Sequence, residues 1–222
     1  HIHADHSGGV SRAGKLAFPE ANVYVDKRDV DFWLNPSNVA QVEPGEAHTF
    51  AESEKTLRPV INAGRLKTFL APATPVEGIR AESTAGHTPG SVVVLETKQN
   101  YLFTGDAIGS GCGVWMQVPG GTSLEEYYDG LVGLMAWLVK RGGRMKFFGG
   151  HHTQVFESTA HPVYNPLSLG VLADLIDLVD QVIHGENLGR PSNAKPFSKE
   201  QVRYASYGRA EMQYCASRIH RK

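Results

Sequence analysis

The chain has 222 residues, of which 41% are hydrophobic and 20% are charged, and its formal net charge is −1. This composition is typical of one soluble globular domain. The near-zero charge gives no basic field for nucleic acid, the two cysteines make no disulfide framework, and no apolar run approaches the roughly 20 residues needed to cross a bilayer. We therefore expect a single domain over residues 1–222 that binds neither nucleic acid nor membrane.

The first six residues read HIHADH, and four of them are of types that bind metals. Side chains alternate between two faces of an extended segment, so His1, His3 and Asp5 are predicted to project the same way. A tight bend would then bring His6 to the same pocket. Neutral imidazole and carboxylate suit Zn²⁺, and also Fe, Mn or Ni. The segment therefore predicts a metal site.

Turn residues and hydrophobic periodicity predict alternating helices and strands in the following hundred residues. A short helix is expected over residues 10–16, with its N-terminus facing the metal pocket. After it come a strand over 22–25, helices over 27–34 and about 46–61, strands over 65–70 and 78–83, and a strand pair over 92–97 and 101–104.

The second half of the chain begins with a glycine-rich loop over residues 107–122. It contains Trp115, which is predicted either to pack as a lid over the core or to form a wall of a substrate pocket. A helix over 123–141 with Ser123 as its N-cap, a buried strand over 145–148, a helix over 167–184 and two short strands within 201–214 complete the prediction.

Further candidate ligands lie in loops at the ends of predicted strands. His87 lies in GHTPGS, where two glycines and a proline make a tight, stiff loop suited to a ligand that must be held rigidly. Asp106 ends TGD, and His151 follows Gly150 after the strand over 145–148. His152 is the alternative last ligand and would otherwise line the substrate pocket.

These four motifs resemble, in order and spacing, those of the metallo-β-lactamase-fold superfamily. The resemblance implies an α/β (α+β) fold, the αββα sandwich. In that family several strands precede the first motif. We therefore expect the N-terminal part of the first sheet to be missing from this chain, or to be supplied by another chain, which would leave a sheet edge and an apolar face unpaired.

The resemblance also implies two metal sites joined by one carboxylate. Seven ligands are implied: His1, His3 and His87 for the first site, Asp5, His6 and His151 for the second, and Asp106 as the bridge. We expect two Zn²⁺ per chain, with Fe or Mn as alternatives.

The implied activity is hydrolysis, in which a metal-bridging hydroxide attacks a small ester, thioester or lactone. Asp5 is the predicted catalytic residue, placed to orient the hydroxide or to move a proton to the leaving group. The bridging Asp106 resembles glyoxalase II and lactonase-like members and differs from true β-lactamases, whereas the loop around His87 also resembles the lactamases. A small-molecule substrate is the expected partner, and homo-oligomer formation is left open.

Three alternatives remain open from the sequence. The first is β-lactam hydrolysis. The second is a mononuclear iron oxidoreductase of the persulfide dioxygenase type, which shares the first motif. The third is a catalytically inactive metal-binding domain. Trp115 and His152 are the predicted substrate-binding residues.

Overall fold

The structure, a computed structural model, describes residues 1–42, 44, 47–108, 113–151, 167–193 and 199–221. Its α-helices are α1 (Ala4–Ser7), α2 (Lys27–Trp33), α3 (His48–Asn62), α4 (Leu124–Arg141) and α5 (Leu169–Ile183). Its strands are β1 (Ser11–Arg12), β2 (Lys15–Leu16), β3 (Val23–Asp26), β4 (Leu66–Phe69), β5 (Ala73–Val76), β6 (Ile79–Ser83), β7 (Val92–Glu96), β8 (Tyr101–Gly105), β9 (Val114–Trp115), β10 (Lys146–Gly149), β11 (Arg190–Pro191), β12 (Val202–Tyr207) and β13 (Ala210–Cys215).

A central five-stranded sheet has the order β10-β8-β7-β6-β5. Its neighbours run antiparallel except β8 and β10, which are parallel and therefore end side by side. A second sheet has the order β11-β12-β13-β9, in which β9 runs parallel to β13. Two further pairs complete the strands, β1 with β2 and β3 parallel to β4.

The main hydrophobic core lies between one face of the central sheet, α4, α5 and the second sheet. Helix α4 begins where the sequence predicts it, because Ser123 and Glu126 form a reciprocal capping box. A smaller cluster gathers α2, α3, β3 and the opening hexapeptide around the buried Trp33. No helix in the described part of the chain combines the length and hydropathy needed to span a bilayer.

The other face of the central sheet is only partly covered. Tyr101 and Phe103 on β8 are 36% and 46% exposed, and the ring of Phe103 stacks on that of Phe148 with centroids 5.2 Å apart. A largely apolar cavity of about 310 Å³ lies between this face, β3 and α3. This face is therefore partly exposed among the described residues. Its completion by further strands stays a prediction, as does the single-domain assignment.

Two predictions about the start of the chain are wrong. Residues 4–7 form a helical turn rather than an extended segment, because the N–H groups of His6 and Ser7 both donate to the carbonyl of His3 at 3.0 and 2.8 Å. The helix expected over 10–16 is replaced by β1 and β2. Ala13 and Gly14 form the turn between them, with φ of +49° and +76°. The other predicted elements are confirmed with ends within about two residues, whereas β5, β9 and β11 were not predicted. Strand β10 was predicted to be buried, but Lys146 is exposed and the other three residues are only partly buried.

Candidate metal centre

Four separate segments bring the predicted ligands to one place. The hexapeptide contributes His1 and His3 before α1 and Asp5 and His6 within it, and the loop between β6 and β7 contributes His87. The remaining two ligands, Asp106 and His151, follow β8 and β10. These strands are parallel neighbours, and the N–H of Gly150 donates to the carbonyl of Gly105 at 3.1 Å. All seven predicted ligands therefore lie together.

The Asp106 carboxylate lies at the centre of this group. Its Oδ2 is 3.2 Å from Nε2 of His6, 3.5 Å from Nε2 of His87 and 3.7 Å from Nε2 of His1. Its Oδ1 is 3.2 Å from Nε2 of His151. Burial alone would raise the pKa of Asp106, but the hydrogen bonds from His151 and His6 lower it below its usual range. The group is therefore a carboxylate anion at neutral pH.

The histidines and Asp5 form two sets, each with ligand atoms within 4.8 Å of one another, and His1 and His6 also form a third such group with Asp106. We call His1, His3 and His87 the buried triad, and Asp5, His6 and His151 the open triad. In the first set, the side chains of His1 and His87 are only 3% and 5% exposed. In the second, those of Asp5 and His151 are 62% and 52% exposed.

Two members of the buried triad, His3 and His87, are neutral imidazoles. Burial, followed by the nearby His87, lowers the pKa of His3 to about 3, and burial also lowers the pKa of His87. Nε2 of His1 is buried and has no hydrogen-bond partner among the described residues. His3 faces the triad through Nδ1, which lies 3.3 Å from Nε2 of His87. Neutral imidazole nitrogens are the form that binds a metal ion.

Contacts outside the triad fix the orientation of two of its rings. Nδ1 of His87 lies 2.7 Å from the backbone carbonyl of Trp115, to which it donates when the proton is on that nitrogen. This tautomer directs the lone pair of Nε2 into the centre. The ring of Trp33 contacts His3 edge-on, with centroids 4.6 Å apart and an interplanar angle of 79°. Both rings are thus held without any ligand.

The open triad is more polar and more accessible. Nε2 of His6 is 3.5 Å from Oδ2 of Asp5, and the rings of His6 and His151 have centroids 5.5 Å apart. The hydrogen bond to Asp106 raises the pKa of His151. Because α1 is helical, Asp5 projects toward His6 and His151 and does not share a face with His1 and His3.

The two predicted substrate-binding residues have different outcomes. Trp115 lies beside the centre, since its carbonyl contacts His87, and it is 37% exposed. Its role as lid or pocket wall stays a prediction. His152 lies outside the described residues.

Sequence reasoning missed two buried residues that support the motif loops. Asp29, in the first turn of α2, accepts hydrogen bonds from the backbone N–H groups of Ile2 and Gly90. The hydroxyl of Tyr127 donates to the carbonyl of Ala107 at 2.6 Å, and its ring lies against Gly86. Neither residue belongs to a motif. An acidic residue in a first helical turn is commonly explained by the helix dipole alone, which hides its tertiary role.

Comparisons with known proteins agree with this arrangement. The model of the metallo-beta-lactamase superfamily matches residues 1–144. The solved structure of AbOPH, a hydrolase in the beta-lactamase superfamily, has a TM-score of 0.55 and 26% identity, covering 68% of this chain and 54% of that one. The structure of AidC, a dizinc quorum-quenching lactonase in complex with a product, has a TM-score of 0.53 and 23% identity, covering 68% and 55%.

The chain spans about half the length of these two solved structures, and no curated protein matches it. The family match covers most of the chain and includes six of the seven predicted ligands, all except His151. With its α+β fold and its clustered motifs, the chain belongs to the metallo-β-lactamase superfamily.

Proposed function

We propose that this protein is a binuclear metal-dependent hydrolase that cleaves a small ester, thioester or lactone. The observation that carries the proposal is the position of Asp106. Its Oδ2 faces the buried triad and His6, and its Oδ1 faces His151. A carboxylate placed between two sets of three ligands is suited to bridge two cations.

The residues of the buried triad fit a metal ion. A buried polar atom without a partner costs about 1–3 kcal/mol, and Nε2 of His1, which lies 3.7 Å from Oδ2 of Asp106, is such an atom. A cation bound to it would remove that cost, and Nδ1 of His3, 3.3 Å from Nε2 of His87, is the nitrogen of that ring that faces the same site. Nitrogen and carboxylate ligands together suit Zn²⁺, with Fe or Mn as alternatives. Two cations, one held by each triad, would polarise the substrate carbonyl and lower the pKa of a coordinated water to about 7.

The side chains of the open triad act on the substrate side of the centre. Asp5 is more than half exposed and lies beside His6, so its carboxylate can take a proton from the attacking water and pass it to the leaving alcohol or thiol. His151 is similarly exposed, so a substrate can approach both side chains from solvent. No protein nucleophile is needed in this scheme.

The choice of reaction class draws on the relatives. AbOPH is described as a hydrolase, and hydrolysis needs only the groups described here. AidC is described as a lactonase and shares the fold, which makes lactones suitable first probes. β-Lactam hydrolysis, persulfide oxidation and an inactive metal-binding role are treated as outcomes of the test.

The test combines metal analysis of the purified protein with a panel of esters, thioesters, lactones and β-lactams. We expect two metal ions per chain and turnover of at least one ester, thioester or lactone. If the protein hydrolysed only β-lactams, the proposed substrate class of esters, thioesters and lactones would be replaced by β-lactams. One iron per chain with oxygen consumption on a persulfide would overturn hydrolysis. Bound metal with no turnover of any substrate would indicate an inactive domain.

A pair of aspartate variants separates catalysis from general effects of charge. Asp5→Asn keeps an oxygen ligand but cannot accept a proton, so we expect kcat to fall by about 10²–10⁴-fold with metal still bound. Asp31→Asn removes a similarly exposed aspartate on α2 and should leave kcat unchanged. Equal activities of the two variants would exclude Asp5 as the proton carrier.

A further inference from the structure

We propose that Asp29 is a positioning residue that joins the two backbone segments of the buried triad, so that the affinity of the triad for its cation depends on it. The inference rests on the proposed function in one respect only, in that it takes the buried triad as metal ligands.

The geometry places one carboxylate between the two segments. Oδ2 of Asp29 accepts the N–H of Ile2 at 3.1 Å, and Oδ1 accepts the N–H of Gly90 at 2.8 Å. Ile2 lies between His1 and His3, and Gly90 belongs to the His87 loop. Asp29 is fully buried, and hydrogen bonds to a buried carboxylate are stronger than those between neutral groups. The bridge therefore fixes the separation of the two segments that supply all three ligands.

The His87 loop packs closely against this carboxylate at Gly90. A Cβ atom at Gly90 would lie 2.6 Å from the backbone nitrogen of Asp29 and 2.7 Å from its Oδ1. Real Cβ atoms essentially never approach so closely, so residue 90 must be glycine for the bond to form. The contact is thus a property of both segments and not of Asp29 alone.

The hexapeptide end of the bridge is bonded on its other side as well. The carbonyl of Ile2 accepts the hydroxyls of Ser7 and Ser53 at 3.1 and 3.2 Å. Trp33, one turn after Asp29 on α2, packs against the ring of His3. Helix α2 therefore contacts the backbone of the two triad segments through the Asp29 carboxylate and the ring of His3 through the Trp33 side chain.

Asp29 itself is not placed as a ligand or a catalyst. Both of its oxygens already face backbone N–H groups, so its effect must pass through the segments it joins. A purely structural role predicts a lower stability of the metal-free protein with unchanged affinity of the molecules that remain folded. A positioning role predicts a weaker affinity in the folded protein, and these two results can be distinguished.

The test is a chelator-competition titration with Zn²⁺ on wild type, Asp29→Asn and Asp29→Ala, at a temperature where circular dichroism shows each metal-free protein folded. We expect the Kd of the tighter cation to rise about 10–100-fold in Asp29→Ala. The Kd of Asp29→Asn should lie between those of wild type and Asp29→Ala, because the amide keeps one acceptor oxygen but presents an NH₂ group to the other N–H. The matched control Asp31→Ala, on the exposed side of the same helix, should leave both Kd values unchanged.

A wild-type Kd in Asp29→Asn and in folded Asp29→Ala would overturn the inference. If Asp29→Ala does not fold, the test rests on Asp29→Asn alone. A Kd of Asp29→Asn equal to that of wild type would then overturn the inference. His3→Ala separates the two proposals. If that variant binds zinc as wild type does, the triad is not a metal site and the proposed function fails. If it loses the tighter cation while the Asp29 variants do not, only the positioning role fails.

Discussion

The buried and open triads share the Asp106 carboxylate but differ in nearly every other respect. Burial keeps the imidazoles of His3 and His87 neutral and leaves Nε2 of His1 without a hydrogen-bond partner among the described residues. Exposure leaves the second in contact with solvent, and its His151 gains basicity from Asp106. The buried triad is therefore organised before any ligand arrives, whereas the open triad remains accessible to exchange. We expect the first to bind its cation more tightly and the second to meet the substrate.

The largest expected effect comes from removing what the triads share. Asp106→Ala should lose at least one metal ion per chain and reduce activity by more than about 100-fold, because each set loses its common ligand. Metal analysis after exhaustive dialysis, with initial rates on the best substrate, measures both. The control Asp129→Ala changes an exposed aspartate on α4 and should alter neither. Full metal occupancy in Asp106→Ala would contradict the bridging role.

A paired substitution tests the order of affinities. His3→Ala should remove the tighter phase of a zinc titration, because it takes a ligand from the organised triad. His151→Ala should weaken the second phase and spare the first. His184→Ala, at the exposed end of α5, controls for loss of a surface histidine. If His151→Ala abolished the tighter phase, the open triad and not the buried triad would hold the tighter cation.

A glycine pair perturbs the buried triad without touching a ligand. A Cβ atom at Gly86 would lie 2.3 Å from the ring of Tyr127, so Gly86→Ala must displace the His87 loop. Overpacking of this kind costs about 1–3 kcal/mol in the free energy of unfolding. The tighter zinc phase should weaken while the second is largely kept.

Gly133→Ala is the matched control, since nothing lies within 4 Å of its added Cβ on α4. It should stabilise the protein by up to about 1 kcal/mol. Denaturant unfolding of the metal-free proteins measures both changes. Equal stabilities of the two variants would show that the loop accommodates the methyl group.

The smallest expected effect concerns the start of α2, which supports the buried triad. Asp26 caps this helix and bonds Arg28 and the N–H of Ala71. Burial alone would raise its pKa, but the Arg28 and Ala71 hydrogen bonds lower it below 3.8. A lowered pKa means that the carboxylate stabilises the fold above the unfolded value and that this contribution is lost as pH falls through the folded value.

Asp26→Asn should therefore lower the free energy of unfolding by about 1–2 kcal/mol at pH 7. The difference from wild type should shrink below pH of about 4. Urea unfolding at pH 7, 5 and 3 provides the measurement. A difference that stays constant over this range would show that the charge of Asp26 contributes nothing.

The sequence predicted the long helices and the clustering of the motifs because both have local signals. Ser123 and Glu126 mark the start of α4 within four residues, and the three motifs after the hexapeptide place their ligands after the ends of strands. The hexapeptide conformation was predicted wrongly, because alternation of ligand types imitates an extended segment while hydrogen bonds to the His3 carbonyl close a helical turn. The spacing of the motifs predicts which residues cluster, but it does not predict the backbone conformation that brings them together.

Other features depend on contacts that no local pattern encodes. Strand β9 is two residues long and exists because β13, about a hundred positions later, pairs with it. Asp29 acts on Ile2 and Gly90, which are 27 and 61 positions away. The Trp115 carbonyl that orients His87 is a backbone atom, so its residue type carries no information about that role. Such contacts become visible only once the sheets are assembled.

The pairing of β9 with β13 has a consequence for the maturation of the centre during synthesis. Trp115 is held opposite Gln213, and the N–H of Met116 donates to the carbonyl of Gln213 at 2.8 Å. All seven predicted ligands leave the ribosome well before that strand does. A nascent chain that ends near residue 200 would carry every predicted ligand but lack the strand that fixes the acceptor for His87. If the centre binds a metal ion as proposed, its affinity should therefore rise abruptly when the last hairpin emerges.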